Sequence, residues 1–291
     1  MIKIENTEVL GWEAAIRGLR NPMNSWEKSD SWFVDDYNSE YDVCMVHSYK
    51  IPYAEMSETV EENYMNIEWT EQYTYEDLDG KKAVKEFKNS NRIFYPSFDI
   101  PCDLVVGPND HKLMLNLAKA GSVDAKYRRM IIVTTDILAP LYWWKEFDTY
   151  KVGTVANSCS TMHKIAAKEF MLDDFSCEHL CDSTTAYLEQ TIGILNFFRE
   201  VYISFDEKSS DPNWFKSFVK DYDLQTKKDI WWQMIQLLPS SYNQRRTVML
   251  NYEVLAGIYP KRKDHKLDEW HDFCDWIRYL PYSELITLDG V

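Results

Sequence analysis

Between residues 128 and 163 the chain changes character three times without a break. RRMIIVTTDI (128–137) is a β-branched run that reads as a buried strand. Pro140 stands where a helix can begin, because its missing N–H costs nothing in a first turn, and APLYWWKEFDTY (139–150) continues as that helix. The stretch then opens at Gly153 into VANSCSTMH, a run of hydroxyl and amide side chains. A core element has no use for Asn-Ser-Cys-Ser-Thr, and a surface loop has no use for Tyr142-Trp143-Trp144. An apolar helix that opens into a polar turn is a common way to present groups to a ligand. Trp143, Trp144 or Tyr150 could stack on a ring, but adjacent helical residues point apart, so at least one of the two tryptophans packs in the core.

The remainder of the chain reads as support for this segment. Its 291 residues, 45% of them apolar, are enough to bury a sizeable core. The 11 Trp, 19 Tyr and 13 Phe suit ring-stacking sites and subunit interfaces, although for most of them core packing is the expectation. A net charge of −15 repels the phosphate backbone, which argues against long nucleic acid as a partner. No leader precedes Ile2 and no apolar run approaches ~18 residues, so no membrane partner is expected and a cytoplasmic protein with free thiols is.

Residues 2–10 alternate as a strand does, and WEAAIRGL after Gly11 is an amphipathic helix. Residues 20–31 are turn-rich. Residues 57–90 are strongly acidic and read as a solvated hairpin or excursion. From residue 105, Asn109 or Asp110 is the expected N-cap of a helix carrying Leu113 and Leu117, with Gly121 closing it. Further helices are expected at 183–205, 211–222, 227–238, 240–259 and 266–280.

Three constellations invite chemistry. Cys177-Glu178-His179-Leu180-Cys181 has metal-ligand residue types, but a structural zinc site needs a second pair and none lies nearby, so no metal is expected. Cys159 and His163 have the spacing that shares one helical face, without the surroundings of a known cysteine nucleophile. Arg245-Arg246 and Lys261-Arg262-Lys263 are the densest cations. They read equally as anion-recognising forks or, for 261–263, as charges complementing the end of their own helix.

Two blocks together resemble the flavin-dependent thymidylate synthases. The first runs from Asn109 to Met162, through the helix ending AKAG, the strand, the AP start of the aromatic helix and NSCSTM. The second, LPSSYNQRRTVMLNYEVLAGIYPKRKD, matches the family's Leu-Pro at Leu238-Pro239, its Asn at the head of a helix at Asn251, and the Arg following that helix at Arg262. The likeness covers the C-terminal two thirds. It departs where Ser158 replaces a Glu and Met162 an Arg. The family's Arg-His-Arg falls on Thr149 or Tyr150 to Lys151 or Val152, and Glu253 stands for a flavin-contacting Arg.

The resemblance implies an α+β fold, a mixed sheet packed against long helices, as one domain over 1–291 with an insertion at about 35–100. It implies reductive methylation of dUMP, or a related pyrimidine deoxynucleotide, with FAD as cofactor and NADPH and methylenetetrahydrofolate as co-substrates, in a homotetramer. By it, Arg262 is catalytic; Asn251, Lys151 and Tyr150 bind cofactor; and Asn157, Ser158 and Ser160 bind substrate. The thinned cation set also allows a second expectation, a catalytically inactive descendant that uses the scaffold for assembly or protein binding.

Overall fold

The computed structural model describes residues 2–33, 64–66, 69–76, 82–89, 92–94, 104–205, 224 and 226–288. Strand β1 (Lys3–Leu10) leads into α1 (Trp12–Arg20) through Gly11, whose φ is +92°. A Cβ there would lie 2.1 Å from the Met130 carbonyl oxygen, so both conformation and space demand glycine. Residues 21–28 form two short turns of 3₁₀ helix, as the turn-rich composition predicts. Short strands β2 (Trp32–Phe33), β3 (Tyr64–Asn66), β4 (Trp69–Glu76), β5 (Lys82–Asn89), β6 (Arg92–Phe94) and β7 (Leu104–Val105) follow. They pair antiparallel as β2–β7, β3–β6 and β4–β5, the last in register from Trp69↔Asn89 to Glu76↔Lys82. The β4–β5 pair and β3 lie inside the acidic excursion; the other residues of 57–90 lie outside those described.

Helix α2 (Pro108–Ala120) ends at Gly121, as expected, but neither Asn109 nor Asp110 caps it. The Asp30 carboxylate accepts from the amides of Asn109 (2.8 Å) and Asp110 (3.0 Å) instead. Asp110 is buried, and it takes Arg20 Nε at 2.8 Å and the hydroxyls of Ser29 (2.6 Å) and Ser31 (2.7 Å). A capping side chain from far along the sequence leaves no local signal. Met114 and Ala118 fill the core, with Leu113 and Leu117 at its margin.

The β-branched run forms β8 (Ile132–Pro140), starting later than expected because Lys126–Arg129 is a 3₁₀ turn. Its residues alternate between buried and half-buried, so one face of the strand is covered rather than two. Then come α3 (Leu141–Phe147), β9 (Val155–Ser158), the single turn α4 (Thr161–Lys164), and the long α5 (Asp182–Ser204). Helix α6 (Lys227–Leu237) starts on a capping box, with Thr226 and Asp229 satisfying each other's amides. The helix expected over 211–222 lies outside the described residues.

The expectation of a helix throughout 240–259 is corrected. Residues Asn243–Asn251 form strand β10, and α7 (Tyr252–Arg262) begins only afterwards. Gln244, Val248 and Leu250 are buried while Arg245, Thr247 and Met249 face out, a period of two that favours a strand. The Asn251 side chain accepts from the Val254 amide at 3.0 Å and caps α7. Helices α8 (Asp268–Arg278) and α9 (Glu284–Thr287) complete the chain.

By contacts the chain divides into two compact units. The first comprises Met1–Asn6, Thr134–Leu250 and Pro260–Cys274. It holds most of a four-stranded sheet in the order β1-β8-β10-β9, with β9 on the edge and antiparallel to β10. Its aromatic core is Trp143, Trp144, Phe147, Trp270 and Phe273, with Trp143 4.8 Å from Trp270 and 5.0 Å from Phe147, centre to centre. A second cluster joins Leu188, Ile192 and Leu195 of α5 to Met234 of α6.

The second unit comprises Thr7–Val133, Asn251–Tyr259 and Asp275–Val291. Trp12 packs at 5.5 Å against Tyr252 and 5.1 Å against Tyr282. Among the described residues, no helix is long and apolar enough to cross a membrane.

Candidate functional site

Helix α3 starts where β8 ends, and its first amides are already used. Leu141 N–H donates to the Tyr242 carbonyl and Tyr142 N–H to that of Ser240, both at 3.0 Å. Its N-terminus is therefore closed to an anion, and the chemistry lies at its other end. Trp143 and Trp144 are both core, 0% and 1% exposed, so neither stacks on a ligand. Trp144 Nε1 donates to the Gln244 carbonyl at 2.9 Å. The expectation that at least one of the adjacent pair packs in the core holds for both, because α3 is covered on both flanks.

Two arginines flank the last turn of α3 in the same way. Arg246 lies 4.2 Å over the Trp144 ring and donates to Asp148 at 2.8 Å. Arg262 lies 4.5 Å over the Trp270 ring and donates through Nη1 to Glu146 at 2.5 Å. Nε of Arg262 also donates to the Tyr150 hydroxyl at 2.8 Å. A delocalised guanidinium tolerates partial burial against an aromatic face when a carboxylate balances its charge. Trp270 Nε1 donates to the same Glu146 oxygen at 3.2 Å, and His265 Nε2 lies 3.3 Å from it.

The two residues expected to be catalytic and cofactor-binding, Arg262 and Tyr150, are thus hydrogen-bonded to each other. Lys151 is exposed next to Tyr150. Asn251 is at the head of α7, opposite in that helix to Arg262, with its side-chain oxygen spent on the cap.

The expected substrate residues lie on the edge strand and divide by face. Ser158 pairs with Arg246 and Asn157 with Thr247, and side chains directly opposite share a face while neighbours alternate. Ser158 therefore sits on the side of Arg246 and Asp148. Asn157 sits with Thr247 and Asp136, where Thr247 Oγ1 and Asn6 Nδ2 donate to Asp136 at 2.6 and 2.9 Å. Those bonds hold Asp136 below the usual carboxylate range. The Ser160 hydroxyl accepts from the His163 amide at 3.1 Å and caps α4. Among the described residues, none of Asn157, Ser158 and Ser160 shares a hydrogen bond or ion pair with Arg262.

Cys159 precedes α4 rather than lying within it, so the helical-face pairing with His163 does not form. In the Cys177–Cys181 segment, His179 pairs with Asp268 at 2.9 Å, and no group of three or more His, Cys, Asp or Glu among the described residues could hold a metal. Cys181, exposed at the cap of α5, has its thiol pulled down to about 6 by hydrogen bonds with Ser183 and then Thr184. Glu146, His265 and Trp270 were not anticipated. Glu146 is masked by its tryptophan neighbours, and KDHKLDEW carries no known motif.

No protein-family model and no curated protein matches the chain. Among solved structures it is similar to thymidylate synthase X (ThyX) from Helicobacter pylori with FAD and dUMP. The match has 12% identity, covers 62% of this chain and 83% of that one, and has a TM-score of 0.44. A flavin-dependent thymidylate synthase from the same organism, complexed with FAD and dUMP, matches at 12% identity over the same shares with a TM-score of 0.42.

Proposed function

We propose that the chain is a divergent flavin-dependent thymidylate synthase-like enzyme, homo-oligomeric, acting on dUMP or a related pyrimidine deoxynucleotide. The observation that carries this reading is the placement of Arg262. The one matched arginine able to stabilise charge on a pyrimidine lies against an indole face and is oriented by the Tyr150 hydroxyl at 2.8 Å.

The donor set fits the ligands in kind: a guanidinium, a phenol, an imidazole and an indole N–H suit a planar ring bearing an oxyanion. Tyr150 and Lys151 would hold a flavin by ring contact and charge, Ser158 would bond the nucleotide from the side of Arg246, and Ser160 would shape the turn. Bound FAD, once reduced by NADPH, would supply hydride, a step no side chain can perform. Arg262 would hold negative charge on the activated ring, and one such preorganised donor is worth about 3 kcal/mol.

The test is a visible spectrum of the purified protein, followed by thermal shift with dUMP. A flavin band near stoichiometry and a stabilising shift support the reading. A colourless protein that takes up no FAD and is not stabilised by dUMP overturns it. Complementation of a thymidine-requiring strain, lost on Arg262→Ala, excludes the inactive-descendant alternative.

A further inference from the structure

One oxygen of Glu146 receives more than a half-exposed carboxylate needs. Oε2 takes Arg262 Nη1 at 2.5 Å and Trp270 Nε1 at 3.2 Å, and His265 Nε2 lies 3.3 Å away. The Leu267 amide donates to its Nδ1 at 3.2 Å, so in the neutral ring Nδ1 holds the lone pair and Nε2 the proton. Two N–H groups, of Arg262 and Trp270, therefore hydrogen-bond a single oxygen, and His265 Nε2 stands beside it within ion-pair range.

All three groups come from one short segment, residues 262–270, and that segment is shaped by its own backbone. His265 N–H donates to the Arg262 carbonyl and Trp270 N–H to the Leu267 carbonyl, both at 3.0 Å. The Trp270 ring is fully buried against Trp143 and Phe273, and the Arg262 guanidinium is steered by Trp270 and Tyr150. None of these constraints involves Glu146, which arrives from α3. Its side chain is 36% exposed while that of Arg262 is 16% exposed and that of His265 24%. The carboxylate is the outermost and least constrained member of the cluster.

We propose that Arg262, His265 and Trp270 form an oxyanion receptor, and that the Glu146 carboxylate is its internal competitor, which the anionic group of a ligand must displace. A phosphate or carboxylate oxygen takes the same two hydrogen bonds, from Arg262 and Trp270, with the His265 ring beside it. Removing the Glu146 charge leaves Arg262 with an uncompensated, partly buried cation, and an external anion restores the balance. The receptor's chemistry stands on the geometry of 262–270; only the identification of its ligand as a nucleotide rests on the enzyme reading above.

The experiment is calorimetric titration of the full chain with inorganic phosphate and, separately, with acetate, at constant ionic strength. Glu146→Gln is expected to bind phosphate, acetate or both at least ten-fold more tightly than the unaltered protein. Glu146→Asp, which withdraws the carboxylate by one methylene, is expected to tighten binding too and serves if the Gln variant fails to fold. Tightening for phosphate alone marks a phosphate receptor; tightening for acetate marks a carboxylate one. Adding Arg262→Ala is expected to abolish the gain. Binding no tighter in either variant, or tightening that survives Arg262→Ala, overturns the proposal. A protein that takes up no FAD yet shows the tightening loses the enzyme reading and keeps the receptor.

Discussion

The guanidinium carbon of Arg246 lies 4.2 Å from the centre of the Trp144 ring, and the side chain that places it there belongs to the strand paired with Ser158. Asp148 and the Gln244 side chain accept two of its N–H groups, at 2.8 and 3.0 Å. The fork and the flat face are both used, so lysine is not equivalent. Arg246→Lys is expected to lower stability by about 1–2 kcal/mol, the range of a partly desolvated cation–π contact. The urea midpoint checks this, and an unchanged midpoint would show the stack to be inconsequential.

Trp143 decides between a ligand platform and a core. Its ring touches Trp144, Phe147, Trp270 and Phe273, all within 5.6 Å, and none of it reaches solvent. Trp143→Ala is therefore expected to cost about 3–5 kcal/mol, the usual range for deleting a buried large aromatic. A Tm close to that of the unaltered protein, with only ligand binding impaired, would contradict the core assignment.

Asp110 predicts an acid-sensitive element. Burial pushes its carboxyl up, but hydrogen bonds from Ser29, Ser31 and Arg20, together with the Arg20 charge, outweigh this and hold it below the usual range. A carboxylate lowered by folding binds fewer protons in the native than in the unfolded state. Its contribution is complete above the unfolded value of about 3.9 and is lost as pH falls through the lower folded value. Asp110→Asn should flatten the stability profile below about pH 4. At neutral pH it should cost about 3–5 kcal/mol, because it strands the buried Arg20. Denaturant unfolding at several pH values measures both.

The Cys181 thiol offers a pH dependence of reactivity. With its pKa near 6, it is largely thiolate at pH 7, and the thiolate is the nucleophile. Alkylation by iodoacetamide, followed by peptide mass spectrometry, should rise with pH through about 6 at Cys181. The double change Ser183→Ala, Thr184→Ala should move that rise to higher pH. An alkylation profile centred near the ordinary thiol value would remove the assigned role of the two hydroxyls.

Much of the fold can be read from local pattern. The strand at 3–10, the helix after Gly11, the Gly121 stop and the helices at 182–204, 227–237 and 268–278 each carry a periodicity or punctuation that neighbouring residues supply. The segment 240–259 misled because NQRRTVML is short and its alternation competes with a helical run in NYEVLAGIY that follows directly. The pattern that placed Asn251 at the head of a helix was the better guide to the boundary than periodicity.

The sequence by itself determined the candidates: the cation cluster at 261–263 and the polar turn at 157–160 by residue type and spacing, and Arg262, Tyr150 and Lys151 as site residues only through the family resemblance. Only the tertiary structure decided which of them act together. It brought Arg262 to Tyr150, added Glu146, His265 and Trp270, sent both tryptophans of α3 into the core, and parted Asn157 from Ser158 across the sheet. The reason is physical: convergence of donors on one oxygen depends on how elements more than a hundred residues apart pack, and packing leaves no mark on the spacing of either partner.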